Sequence, residues 1–126
     1  MDLDAIFDRL DASLRRYASP LAVREGGTPG KRNVHLWTGR EVEIAGRRRR
    51  DVYFGGAVVQ KGYVGLHFMP IYTDVEQESL CAPDLLALRR GKSCFHVKWL
   101  DDGLAAHVDD ALARGFELYR ERGWVE

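Results

Sequence analysis

The sequence predicts an α+β fold: a two-layer sandwich with the N- and C-terminal helices packed on one face of an antiparallel sheet of about four to six strands. Three observations predict it. Residues 51–72 form two apolar strand patterns around a Gln60-Lys61-Gly62 turn, as in a β-hairpin. A helical apolar stripe precedes this hairpin and another one closes the chain. Since each long helix has one such stripe, we expect both to be buried against the same side of the sheet.

The two long helices are predicted from apolar residues that recur every three or four positions. The first helix covers residues 2–17, and the last runs from a cap at Asp101 or Asp102 to about residue 122, before Gly123. The stripes are Leu3, Ile6, Phe7, Leu10, Leu14 and Tyr17 in the first helix, and Leu104, Val108, Ala111, Leu112, Gly115, Phe116 and Tyr119 in the last.

Shorter elements lie between these helices. Alternating or apolar residues predict strands over residues 33–37, 40–45 and 93–99. Residues 83–90 are predicted as a short helix, because a proline stands at its first position and a glycine follows its last. Glycine and proline make residues 24–32 a loop, and residues 73–79 are expected to be irregular or a helical turn.

The hairpin has a predicted register, set by a two-residue turn at Lys61-Gly62 that makes Gln60 face Tyr63. One face then pairs Val59 with Val64, Ala57 with Leu66 and Gly55 with Phe68, and it is expected to be core. The other face pairs Val58 with Gly65, Gly56 with His67 and Phe54 with Met69. A slip of one residue would exchange the faces on one strand.

A candidate ligand site follows from the strand at residues 93–99. Phe95, Val97 and Trp99 share one face and are expected beneath the helices, so their neighbours point the other way. If this strand lies beside the hairpin, a polar patch forms on the helix-free side. Its residues are Tyr63, His67, Cys94, His96 and Lys98. The alternative interpretation is a solvated sheet face with scattered polar residues.

The same patch allows two further interpretations, catalysis and metal binding. Cys94 and His96 stand about 7 Å apart along one strand, so His67 is the better partner for a nucleophilic thiol. No glycine-rich elbow or oxyanion motif accompanies them, and their spacing matches no standard zinc pattern. We therefore assign no catalytic residue.

The first helix offers a candidate metal site. Asp4, Asp8 and Asp11 follow one exposed helix face, and carboxylates suit hard cations. The structural alternative is that acids near a helix N-terminus complement the macrodipole while Asp11 pairs with Arg15.

Composition narrows the function classes. A chain of 126 residues with 45% apolar and 30% charged residues suits one globular domain, residues 1–126. Nineteen basic and nineteen acidic residues give no net charge, so neither nucleic acid nor membrane is an expected partner. The four arginines at 47–50 are interpreted as a solvated turn. Two cysteines form no disulfide framework, and no apolar run or basic leader is present, which predicts a cytoplasmic protein.

Four segments resemble the YdhG-like family of small bacterial domains. They are VYFGGAVVQKGYVGLHF, APDLLALRRGKS, CFHVKW and the closing helix, within residues 52–119. The family's sandwich is similar to frataxin, and one member has been treated as a frataxin-like iron chaperone. The resemblance therefore implies iron handling by acidic side chains of the first helix, at Asp4, Asp8 and Asp11 here. HLWTGREVEI replaces the family's Tyr-Gly-x-Pro segment.

These observations predict a non-enzymatic binding or interaction module whose ligand is a small molecule or a protein. Because Phe54, Tyr63 and Met69 share the helix-free side, a homodimer through that face is left open. The alternatives are a frataxin-like iron-binding protein, with iron as its cofactor, and a thiol-dependent enzyme that uses Cys94.

Overall fold

The computed structural model describes residues 2–28, 30–44, 46–71 and 79–125. The helices are α1 (Leu3–Arg15), α2 (Pro83–Leu86) and α3 (Asp102–Glu121), with a 3₁₀ turn at Met69–Ile71. The strands are β1 (Ala22–Gly26), β2 (Asn33–Trp37), β3 (Val42–Ile44), β4 (Arg47–Arg49), β5 (Tyr53–Gln60), β6 (Tyr63–Phe68), β7 (Arg89–Arg90) and β8 (Cys94–Val97).

The predicted α+β class is confirmed. Six strands form one sheet in the order β1-β2-β5-β6-β8-β7, and every neighbouring pair is antiparallel. β3 and β4 form a separate two-stranded sheet. Both long helices bury their apolar stripes in one core against the same side of the six-stranded sheet. The other side of that sheet is the helix-free face.

A polar cluster joins the two long helices. Arg9 of α1 forms an ion pair of 2.8 Å with Asp109 of α3, and the buried Ser13 hydroxyl donates to the same carboxylate. Arg16 approaches Asp109 at 3.5 Å. Because charge-assisted hydrogen bonds depend on geometry, this cluster fixes how the helices lie against each other.

The register of the β5–β6 hairpin is as predicted. Gln60 lies opposite Tyr63, and the ladder continues as the pairs Val59–Val64, Val58–Gly65, Ala57–Leu66, Gly56–His67 and Gly55–Phe68. Gly62 has a φ of 86°, the left-handed conformation that a tight turn requires and that glycine adopts without strain. The two faces of the hairpin therefore carry the residues that the sequence assigned to them.

The pairing of Phe54 with Met69 on the helix-free face was wrong. The ladder between β2 and β5 shifts register at Leu36/Trp37, and this irregularity turns Phe54 into the core, where it is fully buried. Met69 begins the 3₁₀ turn instead of continuing β6. The Tyr119 hydroxyl of α3 donates to the Tyr53 carbonyl oxygen at 2.6 Å, which ties this irregularity to the helix layer.

The expected burial of Trp99 was also wrong. β8 ends at Val97, so the alternation that buries Phe95 and Val97 does not reach Trp99, which is 60% exposed. Leu100 is buried instead. The alternating pattern of the sequence continues past the last residue that pairs with a neighbouring strand, so it does not predict burial there.

Several boundaries differ from those predicted. Residues 24–26 belong to strand β1 rather than to a loop, since a charged edge strand needs only one ladder partner. The short helix ends at Leu86, and Arg89–Arg90 pairs with β8 as the opposite edge of the sheet. The arginine run is strand β4, exposed and paired with β3, and not a turn. Of the acidic segment 73–79, residues 73–78 lie outside the described residues.

Candidate ligand-binding face

The helix-free face is built from alternate residues of the four central strands. Its side chains are His35 and Trp37 of β2, Tyr53 and Val58 of β5, Tyr63 and His67 of β6, and Cys94 and His96 of β8. All of them are half-buried, and among the described residues no helix covers this side. The rings lie against one another over a sheet that carries glycine at two central positions.

One row of residues crosses the whole sheet at right angles to the strands. The pairings place Arg24, His35, Gly56, His67, Cys94 and Arg90 directly opposite one another in succession. Directly opposed residues of antiparallel strands share a face. The row thus has an arginine at each edge, two imidazoles and a thiol between them, and one bare glycine.

Tyr53 occupies the space above Gly56. Its hydroxyl lies 2.8 Å from His35 Nδ1, and its ring meets Trp37 edge-on with centroids 5.0 Å apart. A Cβ at Gly56 would lie 2.7 Å from His35 Nδ1 and would overlap the Tyr53 hydroxyl and the Val34 carbonyl oxygen. Only glycine fits beneath this tyrosine, so the first glycine of the face is a packing requirement.

A methyl group would fit above Gly65, which is itself buried, and its carbon would lie 3.7 Å from the Val58 carbonyl oxygen. A Cβ there would lie 3.6 Å from Cys94 Sγ and 3.7 Å from His67 Nε2, both ordinary van der Waals distances. On one side the Tyr63 and His96 rings are stacked, with centroids 3.9 Å apart and planes inclined by 18°. This methyl-sized space is the Gly65 pit: it lies between the Cys94 thiol, a His67 imidazole nitrogen and the Val58 carbonyl oxygen.

The pKa values of four groups on this face are shifted towards their uncharged forms. Burial lowers the pKa of His35, and burial together with the neighbouring His35 and His96 rings lowers the pKa of His67. Burial raises the pKa of the Cys94 thiol, and burial with the nearby thiol raises the pKa of Tyr53. The face therefore offers neutral donors and acceptors at fixed positions.

The sequence found part of this arrangement. Four of the five predicted ligand residues, namely Tyr63, His67, Cys94 and His96, lie together on the helix-free face. Lys98 is exposed, one residue beyond the end of β8. Sequence reasoning missed Tyr53, His35 and Trp37. The alternation of Asn33–Trp37 was the available signal, but it does not reveal that β2 lies beside β5.

Arg24 was missed as well. It stacks on the Trp37 ring, with its guanidinium carbon 4.9 Å from the ring centroid, and it bonds Asp51 at 2.5 Å. Burial alone would raise the pKa of Asp51, but hydrogen bonds from Gly39 N, Arg24 and Thr38 outweigh it and lower that pKa. This cluster holds the start of the β3–β4 hairpin next to the aromatic rings.

The acidic residues of α1 do not form a ligand set. Asp8 pairs with Arg32 at 2.7 Å and Asp11 with Arg15 at 2.8 Å, while Asp4 lies exposed near the start of the helix. Within residues 2–28, 30–44, 46–71 and 79–125, no three His, Cys, Asp or Glu side chains are arranged to hold a metal ion. The geometry gives no support to a metal at Asp4, Asp8 and Asp11.

A groove of about 750 Å³ runs between α1 and the β1–β2 connection. It is lined by Asp4, Phe7, Asp8, Arg15, Glu25, Gly26, Gly27, Thr28, Arg32 and Asn33. Arg32 covers the Phe7 ring at 4.4 Å from its centroid and pairs with Asp8, while Arg15 pairs with Glu25. Two ion pairs therefore join opposite charges that line the groove.

Comparisons with known proteins do not assign the chain: no family model, no curated protein and no solved structure matches it. Among the described residues, none of the helices combines the length and the apolar character needed to cross a membrane.

Proposed function

We propose that this chain is a non-enzymatic binding module that holds a small planar aromatic molecule on the helix-free face of its sheet. One observation carries the proposal: the helix-free face presents a half-buried surface of aromatic rings beside fixed polar groups. The stacked Tyr63 and His96 rings lie next to the Gly65 pit, and Cys94 Sγ and His67 Nε2 stand at its wall. Ligand sites commonly combine such apolar surfaces with a few fixed polar groups.

A rigid site of neutral groups is suited to binding rather than to bond breaking. The raised pKa of Cys94 keeps its sulfur protonated at neutral pH, and the thiolate is the nucleophilic form. This weighs against the thiol-dependent enzyme. The ion pairs at Asp8 and Asp11 weigh against iron handling by α1. Membership of the YdhG-like family and a cytoplasmic location stay predictions.

The test is amide NMR of the full chain with a library of planar heteroaromatic fragments. We expect binders to shift the signals of Gly65, His67 and His96 more than those of α1 and α3. The Gly65→Ala variant fills the pit with a methyl group and should weaken binding roughly tenfold or more. Binders that shift only helix signals, or a complete lack of binders, would reject the proposal.

The matched control is Gly103→Ala. A Cβ at Gly103 on α3 would meet only the Asp101 carboxylate at 3.5 Å, an ordinary contact far from the strands in sequence. The same glycine-to-alanine change should therefore leave fragment binding as in the wild type. Equal losses in the two variants would show that the Gly65 pit is not the site.

A further inference from the structure

The β3–β4 hairpin is a two-stranded ribbon that is separate from the six-stranded sheet. It carries the arginine run of the sequence, which begins with strand β4 and ends just after it, at Arg50. The four side chains at positions 47–50 are all exposed. Because successive side chains of a strand point to opposite faces, the ribbon distributes its charges over two faces in a fixed way.

One face of the ribbon holds its acidic residues. The ladder places Glu43 opposite Arg48, and Arg48 forms an ion pair of 3.3 Å with Glu41, which directly precedes β3. Arg47 and Arg49 alternate with Arg48, so they lie on the other face, where their ladder partners in β3 are both uncharged residues. The strand alternation thus separates two arginines from the carboxylates of the ribbon.

Three arginines of the run are not engaged by the protein. Arg47, Arg49 and Arg50 form no ion pair and no side-chain hydrogen bond with the part of the chain that the structure describes. Asp51, which follows Arg50, is held by Arg24 instead. By contrast, exposed arginines of α1 and α3 pair with carboxylates. The ribbon therefore presents guanidinium groups that are available to an external anion.

We propose that the β3–β4 ribbon binds the phosphate backbone of double-stranded nucleic acid, a function separate from ligand binding on the helix-free face. A guanidinium group matches phosphate oxygens with two parallel hydrogen bonds. Arg47 and Arg49 are two residues apart on one strand, so their Cα atoms are roughly 7 Å apart and each side chain can reach its own phosphate. A two-stranded ribbon also has a width that the major groove of DNA admits.

The composition of the ribbon favours a duplex over a single strand. Proteins that bind single strands add aromatic side chains on which the bases stack, and residues 42–50 include no aromatic residue. The contacts are therefore to phosphates, which a duplex presents at high density and which carry no sequence information. Since the whole chain has no net charge, we expect weak binding that depends strongly on salt.

The test is fluorescence anisotropy of a short labelled DNA duplex titrated with the full chain. With three phosphate contacts, the logarithm of the binding constant should fall with the logarithm of salt concentration at a slope of about −2.7. Binding should therefore weaken roughly fortyfold between about 50 and 200 mM salt. In NMR of the wild type, the duplex should shift the amide signals of β4 more than those of α1 or β6. A Kd weaker than about 1 mM at the lower salt concentration overturns the proposal.

Variants assign the contacts to one face of the ribbon. Arg47→Gln with Arg49→Gln should weaken duplex binding about tenfold or more at low salt and reduce the slope to about −0.9. The matched control is Arg114→Gln with Arg120→Gln, which removes the same charge from ion-paired arginines of α3 and should bind as the wild type does. All four side chains are exposed, so thermal unfolding of both double variants should stay close to that of the wild type.

Three results would overturn this inference. Equal losses in the two double variants would show that binding follows total charge rather than the ribbon. A single strand that binds as tightly as the duplex would contradict the preference for a double helix. Poly-glutamate that competes as well as DNA would show that any polyanion is accepted. Gly65→Ala should leave DNA binding unchanged, so this inference and the proposed function stand or fail separately.

Discussion

The same strands form both faces of the six-stranded sheet, but the side chains of the two faces are buried in different ways. On the helix-covered face, alternate residues such as Val34, Leu36, Leu66 and Phe95 are buried in one apolar core. On the helix-free face, the intervening residues are rings, imidazoles and a thiol that are half-buried against one another. Helices cover one face, whereas on the other, as far as the structure describes the chain, the side chains pack against one another.

One glycine on each side of the sheet illustrates the difference between the two faces. On the covered side, Gly115 of α3 lets the helix approach so closely that a Cβ would lie 2.7 Å from the Phe68 ring. On the other side, Gly65 meets nothing closer than 3.6 Å. The close helix packing requires glycine at position 115, whereas position 65 has room for a methyl group. The comparison teaches that a methyl group cannot be added at Gly115 on the covered face, while one fits at Gly65 on the helix-free face.

The largest expected effect separates the two faces at neighbouring residues. Phe54→Ala should reduce the free energy of unfolding by about 3–5 kcal/mol, because it empties a fully buried position among Tyr17, Phe68 and Tyr119. Tyr53→Phe removes only the hydroxyl beside His35 and should cost about 1 kcal/mol. Urea unfolding measures both, and similar losses would break the contrast between the faces.

A smaller effect should distinguish the two glycines of the helix-free face. Gly56→Ala should lower the free energy of unfolding by about 1–3 kcal/mol, since its methyl group would overlap the Tyr53 hydroxyl and the Val34 carbonyl. Gly65→Ala should leave stability unchanged or raise it by about 0.5 kcal/mol, as alanine is better than glycine in a strand. Thermal unfolding gives the readout. A Gly65→Ala variant as unstable as Gly56→Ala would show that no methyl group fits above Gly65.

The pH dependence of stability should separate the helix layer from the helix-free face. At Asp109 burial alone would raise the pKa, but hydrogen bonds from Arg9 and Ser13 and the charges of Arg9 and Arg16 lower it below 3.8. Its contribution is therefore complete above pH 3.8 and is lost as the pH falls through the folded-state pKa. Asp109→Asn should cost about 1–2 kcal/mol at pH 7 and flatten the acid side of the profile.

The imidazoles of His35 and His67 affect the stability of the fold in a higher pH range than Asp109 does. Burial lowers the pKa values of His35 and His67 below 6.5, so the unfolded chain takes up protons that the folded protein does not. Stability is complete above pH 6.5 and declines below it, towards the folded-state pKa values. The double variant His35→Gln, His67→Gln should lose this slope, the smallest effect of the series, while His107→Gln retains it. An unchanged slope in the double variant would mean that the imidazoles are not shielded from solvent.

Much of the helix-free face followed from the sequence because side chains alternate strictly along a strand. Once Lys61-Gly62 was taken as a two-residue turn, Gly56, Gly65 and His67 had to share a face, and the ladder agrees. The same rule placed Cys94 and His96 together. It failed at Phe54, where a register shift breaks the period, and at Trp99, where the strand has already ended.

The missing half of the site lies on β2 and β5. His35 and Tyr53 are 18 residues apart in the chain, and their 2.8 Å contact exists only because the two strands are neighbours. Between them stands the β3–β4 hairpin, whose arginines gave the sequence a charged, turn-like appearance. Local patterns carry no information on which strands become neighbours across such an insertion.

The sequence by itself determined the α+β class, the two helices with their buried stripes and the orientation of the β5–β6 hairpin. Each of these depends on a short-range period, 3.6 residues in a helix and two in a strand, that a single segment displays. Only the tertiary structure decided that Arg24, His35, Gly56, His67 and Cys94 form one row, and that Tyr53 fills the space above Gly56 while a methyl group would fit above Gly65. Strand order and the register shift at Phe54 arise from contacts between distant segments, which no local pattern encodes.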